Sequence, residues 1–135
     1  MKILIIGSDS FIAQKFLDSC KFEIKGISRS IKQSDKEEII NDFRLIFLTY
    51  FKDVEVVLNF AAIVHHPEIK AEIIYDKVNY ELTILNAQKA KQAGVKLFIQ
   101  MSTIAVYGEN QNIHIESPYK PKTPYGKSKL KADQQ

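Results

Sequence analysis

The sequence predicts an α/β fold, a doubly wound parallel sheet, and three observations point to it. Short apolar runs alternate with longer segments of helical periodicity. The first run, KILIIG at 2–7, is continuous rather than alternating, as a strand covered on both faces must be. It ends in glycine directly before a helical pattern, which makes a first strand-turn-helix unit. With 135 residues, 45% hydrophobic and 26% charged, the chain can bury roughly two-thirds of the surface its unfolded form exposes. One domain over 1–135 is expected.

The elements follow in order. SFIAQKFLDSC (10–20) carries apolar residues at helical spacing, and FEIKGIS (22–28) reads as the second strand. The polar SIKQSDKEE reads as a loop and IINDF (39–43) as a short third strand. VEVVLNFAA (54–62) is the clearest strand. A long helix is expected from Ala71 to Ala93, stopped by Gly94, before the strand VKLFIQMS (95–102). SPYKPKTP (117–124) is a loop, and Pro124 suits the first turn of a final helix.

Composition narrows the function classes. A net charge of +3 is too small to imply a nucleic-acid or membrane partner. ILII is too short for a signal segment, no run approaches the roughly 20 apolar residues of a membrane span, and a single cysteine excludes an internal disulfide. These features predict a reducing, cytoplasmic location, with Cys20 a buried thiol.

The turn GSDSFIA stands where a dinucleotide-binding fold usually carries G-x-x-G-x-x-G, and only Gly7 remains of the three glycines. Ala13 is nearly as small as the third. Ser10 is the departure: its side chain either caps the helix and donates to phosphate, or its bulk holds the phosphate off. Asp9 suits a pyrophosphate only if it points outward. The turn alone is equally readable as a plain helix start.

At the other end, TPYGKSKLK places Tyr125 and Lys129 one helical turn apart. In a chain with 19 Lys and Arg and 6 Tyr, chance supplies that spacing by itself. The ordered set of landmarks is more specific: GxxxxIA, DF at 42–43, NFAA at 59–62, VN at 78–79, STIAVYG at 102–108, the proline-spaced ESPYKPKTPY and YGKSK. Together they resemble the extended short-chain dehydrogenase/reductase family, specifically its nucleotide-sugar epimerases and dehydratases, over essentially the whole chain. The resemblance implies a Rossmann-type domain binding NAD(P), a nucleotide-sugar substrate and hydride transfer. It places Gly7, Ser10, Phe11 and Ile12 at the cofactor turn, Asp42 and Phe43 beside the adenine, Phe60, Ala61 and Ala62 along the cofactor, and Asn79 nearby. Thr103 takes the place of the residue that hydrogen-bonds the reacting oxygen, Tyr125 that of the acid/base, and Lys129 that of its tuning partner and ribose contact. It further implies a chain that stops before the last sheet strands and a C-terminal substrate domain.

The chemistry is consistent with magnitudes. A phenol ordinarily near 10 must fall roughly three units to ionise near neutral pH, about 4 kcal/mol. An ammonium about 4 Å away at an effective dielectric of about 20 contributes about 4 kcal/mol. For the cofactor, the end of the second strand reads GISRS. No acid follows for a ribose 2′-hydroxyl, Ser28 stands in its place, and Arg29 and Ser30 can meet a 2′-phosphate, so NADP is favoured with NAD as the alternative.

Other features have plainer readings. His65 and His66 lack further ligands at metal spacing, so no metal is expected. Lys120, Lys122, Lys127, Lys129 and Lys131 either meet an anionic sugar nucleotide or form a solvated loop and helix face. Ser102 is a structural neighbour of Thr103, and Tyr107 and Gly108 shape the loop after the fifth strand. The resemblance implies a homodimer through the long helix, where Ile73, Ile74, Leu82 and Leu85 offer apolar surface. The rival reading is a noncatalytic NAD(P)-binding sensor or assembly module.

Overall fold

β1 (Lys2–Ile6) pairs in parallel with β2 (Glu23–Ser28) on one side and β4 (Val56–Asn59) on the other. Ile3, Leu4, Ile5 and Ile6 are all buried, which is why the run could be continuously apolar. The computed structural model describes residues 1–29, 34–64, 71–108 and 112–135. Its five-stranded parallel sheet runs β3-β2-β1-β4-β5, with β3 at Glu37–Ile39 and β5 at Leu97–Gln100. By contact the chain divides into two compact units, 1–61 with 85–101, and 62–84 with 102–135. The first holds the entire sheet.

On one face of the sheet, α1 (Phe11–Ser19) buries Ala13 and Leu17 against Ile3, Ile5 and Ile24. Phe16, Val56, Leu58 and Phe60 close that cluster. Cys20 is half-buried at the C-terminus of α1. The third strand differs from its expected place: β3 lies at 37–39 rather than 39–43. Pairing with β2 sets the register, Gly26 to Glu37 and Ser28 to Ile39. Asp42 then ends extended structure by accepting from the Arg44 amide at 2.9 Å, which turns Phe43–Leu45 into a 3-10 turn. A second such turn, Leu48–Phe51, leads to β4. Lys89 secures this connection with two 2.8 Å hydrogen bonds to the carbonyls of Arg44 and Ile46.

The long helix forms as expected but is not uniform. α2 (Glu72–Tyr75) passes through a π-helical segment, Asp76–Glu81, into α3 (Leu82–Gln92). Gly94, at φ +82°, follows its C-terminus, and the Val95 amide bonds back to Ala90 at 3.0 Å. In the second unit α4 (Pro124–Asp133) starts on Thr123, whose Oγ1 accepts from the Gly126 amide at 3.0 Å. Lys127 pairs with Glu72 at 2.9 Å and Lys131 pairs with Asp76, tying α4 to α2 and the π segment.

Ile5 is fully buried in the central strand, so Ile5→Ala should lower unfolding stability by about 2–5 kcal/mol, read as a lower urea midpoint. A loss below that of an exposed control substitution would contradict the assigned core.

Candidate functional site

The turn after β1 needs one glycine, and it has one. Gly7 is at φ +80°, and a Cβ there would lie 2.6 Å from the Ala61 amide nitrogen and 2.8 Å from Ala61 Cα. Conformation and space both exclude a side chain. Ser10, where a second glycine is usual, has φ −71° and ψ 148°, open to any residue, and its Oγ accepts from the Ala13 amide at 3.3 Å. The substitution therefore leaves the backbone unstrained. Phe11 and Ile12 open α1 and are exposed, while Ala13 is fully buried, the role of the third glycine in helix packing.

Ser8 is buried behind this turn and is tied to Glu37 and Gln14, two residues the sequence reading passed over. Glu37 fell within a segment read as loop. The available signal was Gly26 inside a strand, which marks close approach by other groups.

The other expected contacts of the first unit assemble in part. Arg29 lies with its guanidinium 6.0 Å from the ring centroid of buried Phe43. Asp42 is held in an ion pair with Arg44, with N–O distances down to 2.6 Å. The Arg44 side-chain hydrogen bond keeps its carboxyl below the usual range. Ser28 is buried at the end of β2. Phe60 and Ala61 are half-buried; the Phe60 amide bonds Ile6 O at 2.8 Å and the Ala61 amide bonds Asn59 Oδ1 at 3.2 Å. Ser30, His65 and His66 lie outside the described residues.

Thr103, Tyr125 and Lys129 all fall in the second unit. Thr103 begins a 3-10 turn, Ile104–Tyr107, its Oγ1 accepting from the Ala105 amide at 3.2 Å. α4 packs on that turn because residue 126 is glycine: a Cβ would sit 2.7 Å from Ala105 O. Tyr107 lies against Tyr119, ring centroids 5.2 Å apart. Ser102 donates to the Asp133 carboxylate.

Asn79 sits fully buried in the π segment. Its Oδ1 accepts from the Ile63 amide at 2.8 Å, and its Nδ2 donates to Ile63 O at 3.0 Å and Ser128 Oγ at 3.1 Å. Ser128 in turn donates to Tyr125 O at 2.8 Å. Asn79 thus clamps the segment after β4 and is linked to α4. Ala62, half-buried, begins that segment.

Lys129 is 1% exposed and makes no hydrogen bond or ion pair among the described residues. Burial pushes its ammonium below the ordinary lysine value, with Asp133 one turn further along opposing the shift. Lys127 and Lys131 are exposed ion-pair partners, so the basic segment is not one solvated face.

Sheet order, glycine turn and helical start define a Rossmann-type fold. The chain matches the NAD dependent epimerase/dehydratase family over residues 3–135 and belongs to that family of enzymes. It is 28% identical to the UDP-glucose 4-epimerase of Vibrio cholerae, across 98% of this chain and 45% of that protein. The UDP-glucuronic acid 4-epimerase of Bacillus cereus, solved in complex with NAD, superposes with TM-score 0.82 and 26% identity, covering 99% of this chain and 50% of that one. The UDP-Glc/GlcNAc 4-epimerase of Campylobacter jejuni gives TM-score 0.82 and 27% identity over 98% and 47%. The chain spans about half the length of these relatives.

The buried ammonium has a stability consequence. Because its folded value lies below that of unfolded lysine, the unfolded chain binds the proton more tightly, and stability rises with pH between the depressed value and 10.5. Lys129→Met should therefore stabilise the chain at pH 7, and its advantage should shrink as pH approaches 10. Urea unfolding of both proteins at the two pH values measures this. An advantage constant with pH would contradict the burial assigned to a charged group.

Proposed function

We propose that the protein acts on a nucleotide sugar by hydride transfer, with Tyr125 as acid/base, Lys129 as its tuning cation and Thr103 as donor to the reacting oxygen. The observation that carries this reading is the buried ammonium of Lys129, without a counter-ion in contact among the described residues and one turn from Tyr125 on a helix packed against the Thr103 turn. A lone buried cation is costly in a merely structural setting. It suits a site where a phenol must lose and regain a proton and where ribose hydroxyls need a donor.

The chain's residues also fit a dinucleotide. The turn at Gly7 presents backbone rather than side chain, and α1 begins there with its first amides free of helical acceptors. In this reading Arg29 and Phe43 meet the adenosine end, and Lys129 serves the nicotinamide ribose. A nicotinamide cofactor, when bound, supplies the acceptor and donor of hydride. Tyr125 Oη takes the proton of a sugar hydroxyl as the adjoining carbon is oxidised and returns it when the carbonyl is reduced. Among the described residues Thr103 Oγ1 accepts from the Ala105 amide, and in this reading its own hydrogen is donated to the sugar oxygen.

Ser28 and Arg29 at the end of β2 favour NADP(H), since no carboxylate stands there to grip a 2′-hydroxyl and Arg29 can pair with a 2′-phosphate. The relative solved with NAD makes NAD(H) the alternative. Calorimetric titration of the purified chain with both cofactors decides it, and tighter binding of NAD(H) would remove the assignment to Arg29. Cofactor binding with no turnover under any complementation would instead favour a sensor or assembly module.

The catalytic assay follows nicotinamide absorbance with saturating sugar nucleotide. The chain is supplied with the C-terminal half of a relative, because the 135 residues match only about half of such proteins. Tyr125→Phe should lower turnover by about 100-fold or more with cofactor affinity nearly unchanged, whereas Lys129→Ala should lower both. Full activity in Tyr125→Phe would show the acid/base to lie elsewhere. A homodimer belongs to the same reading. Ile73 and Ile74 on α2 are exposed, Leu82 and Leu85 half-buried, and sedimentation showing only monomer at high concentration would exclude it.

A further inference from the structure

Behind the glycine turn lies a buried polar network that the proposed chemistry does not use. Glu37, 4% exposed, accepts on Oε1 from Ser8 Oγ at 2.5 Å and Gln14 Nε2 at 3.0 Å, and on Oε2 from Ser34 Oγ at 3.3 Å. Gln14 Nε2 also donates to Ser8 O at 2.6 Å, and the Ser8 amide donates to Ile27 O at 3.0 Å. Every polar group of Ser8 is therefore held. The slot exists because residue 26 is glycine: a Cβ there would lie 2.7 Å from Ser8 Cβ and 2.9 Å from Glu37 Cγ.

A buried carboxylate is a poor choice for packing alone, since an apolar residue of similar volume would be as stable or more so. Two of the hydrogen bonds described for it, from Ser8 and Gln14, tie the segment that follows Gly7 to α1, and a third comes from Ser34 beside β3. Phosphate binding at a helix start depends on oriented backbone amides, and a segment ordered beforehand binds without an ordering cost. The usual turn gets its close approach from three glycines. Here two are replaced, and Ser8 is fixed from both ends instead.

We propose that Glu37 is a positioning residue of the cofactor turn: through Ser8 and Gln14 its carboxylate preorganises Gly7–Ser10 to receive the pyrophosphate of a nicotinamide dinucleotide. The proposal rests on the cofactor reading above.

The test measures two quantities on the 135-residue chain and its Glu37→Ala, Glu37→Gln and Gln14→Leu variants. These are the dissociation constants of NADH and NADPH, and amide hydrogen exchange at Ser8, Asp9 and Ser10 without cofactor. Glu37→Ala should weaken the better cofactor about tenfold, the equivalent of one hydrogen bond to a charged group, and speed exchange at those amides selectively. Glu37→Gln, which keeps one neutral acceptor oxygen for Ser8 and Gln14 and turns its NH2 group toward Ser34, should fall between. Val54→Ala, buried and outside the network, controls for lost stability and should leave affinity and local exchange unchanged. If Glu37→Ala does not fold, Gln14→Leu carries the test. Affinity and exchange in the Glu37 and Gln14 variants equal to those of Val54→Ala would overturn the proposal. If the unaltered chain binds neither cofactor, the cofactor reading fails, and exchange at Ser8–Ser10 still decides the positioning role: no selective change refutes it.

Discussion

Ile3, Leu4, Ile5 and Ile6 leave no face of β1 in water, and this double burial governs the rest of the first unit. A strand flanked by parallel partners and covered above and below has its groups free only at its ends. Because β1, β2 and β4 are parallel and closely in register, their carboxyl ends fall together. Gly7, Ser28 and Phe60 are brought to one edge of the sheet as a result. The approach is close enough at Gly7 that Ala61 backbone occupies the space of a side chain. The gathering of these loop residues at one edge is thus a consequence of how the core is buried.

In both units buried polar side chains hold irregular backbone. Asn79 uses its acceptor and both donor directions on Ile63 and Ser128, so the segment after β4 keeps a fixed path without regular structure. Glu37 and Gln14 do the same for Ser8. An unsatisfied amide or carboxylate at such depth would cost several kcal/mol, so each network is effectively all or nothing. A loop held in this way can carry function without being covered by further chain.

What the sequence made legible was mostly local. Gly94 and Pro124 announce helix ends through their own backbone preferences, and KILIIG and VEVVLNFAA announce strands through composition. Gly7, Thr103, Tyr125 and Lys129 stood out through order and spacing. β3 did not, because KEEII has weak strand character and its place is set by pairing with Gly26–Ser28. Asp42 and Phe43 were read as strand, yet Asp42 caps a turn through a bond two residues on, which competes with extension. The π segment at 76–81 has no sequence signature, and the Ser8–Glu37 bond has only the indirect one of Gly26 inside a strand. They depend on partners brought together by the sheet or by packed helices, and periodicity carries no information about them.

The three lysines of α4 show how position on a helix decides chemistry. Lys127 and Lys131 are four residues apart and share one face, where Glu72 and Asp76 meet them. Lys129, two residues from each, is turned to roughly the opposite side and is buried. Stability alone would favour the reverse, with carboxylates beside the desolvated cation and none needed by the solvated ones, since surface pairs contribute little and buried unpaired charge costs much. Among the described residues the outer lysines of α4 meet carboxylates while the inner one has no contacting anion, and under the proposed function that arrangement is explained by Tyr125, one turn away on the same helix.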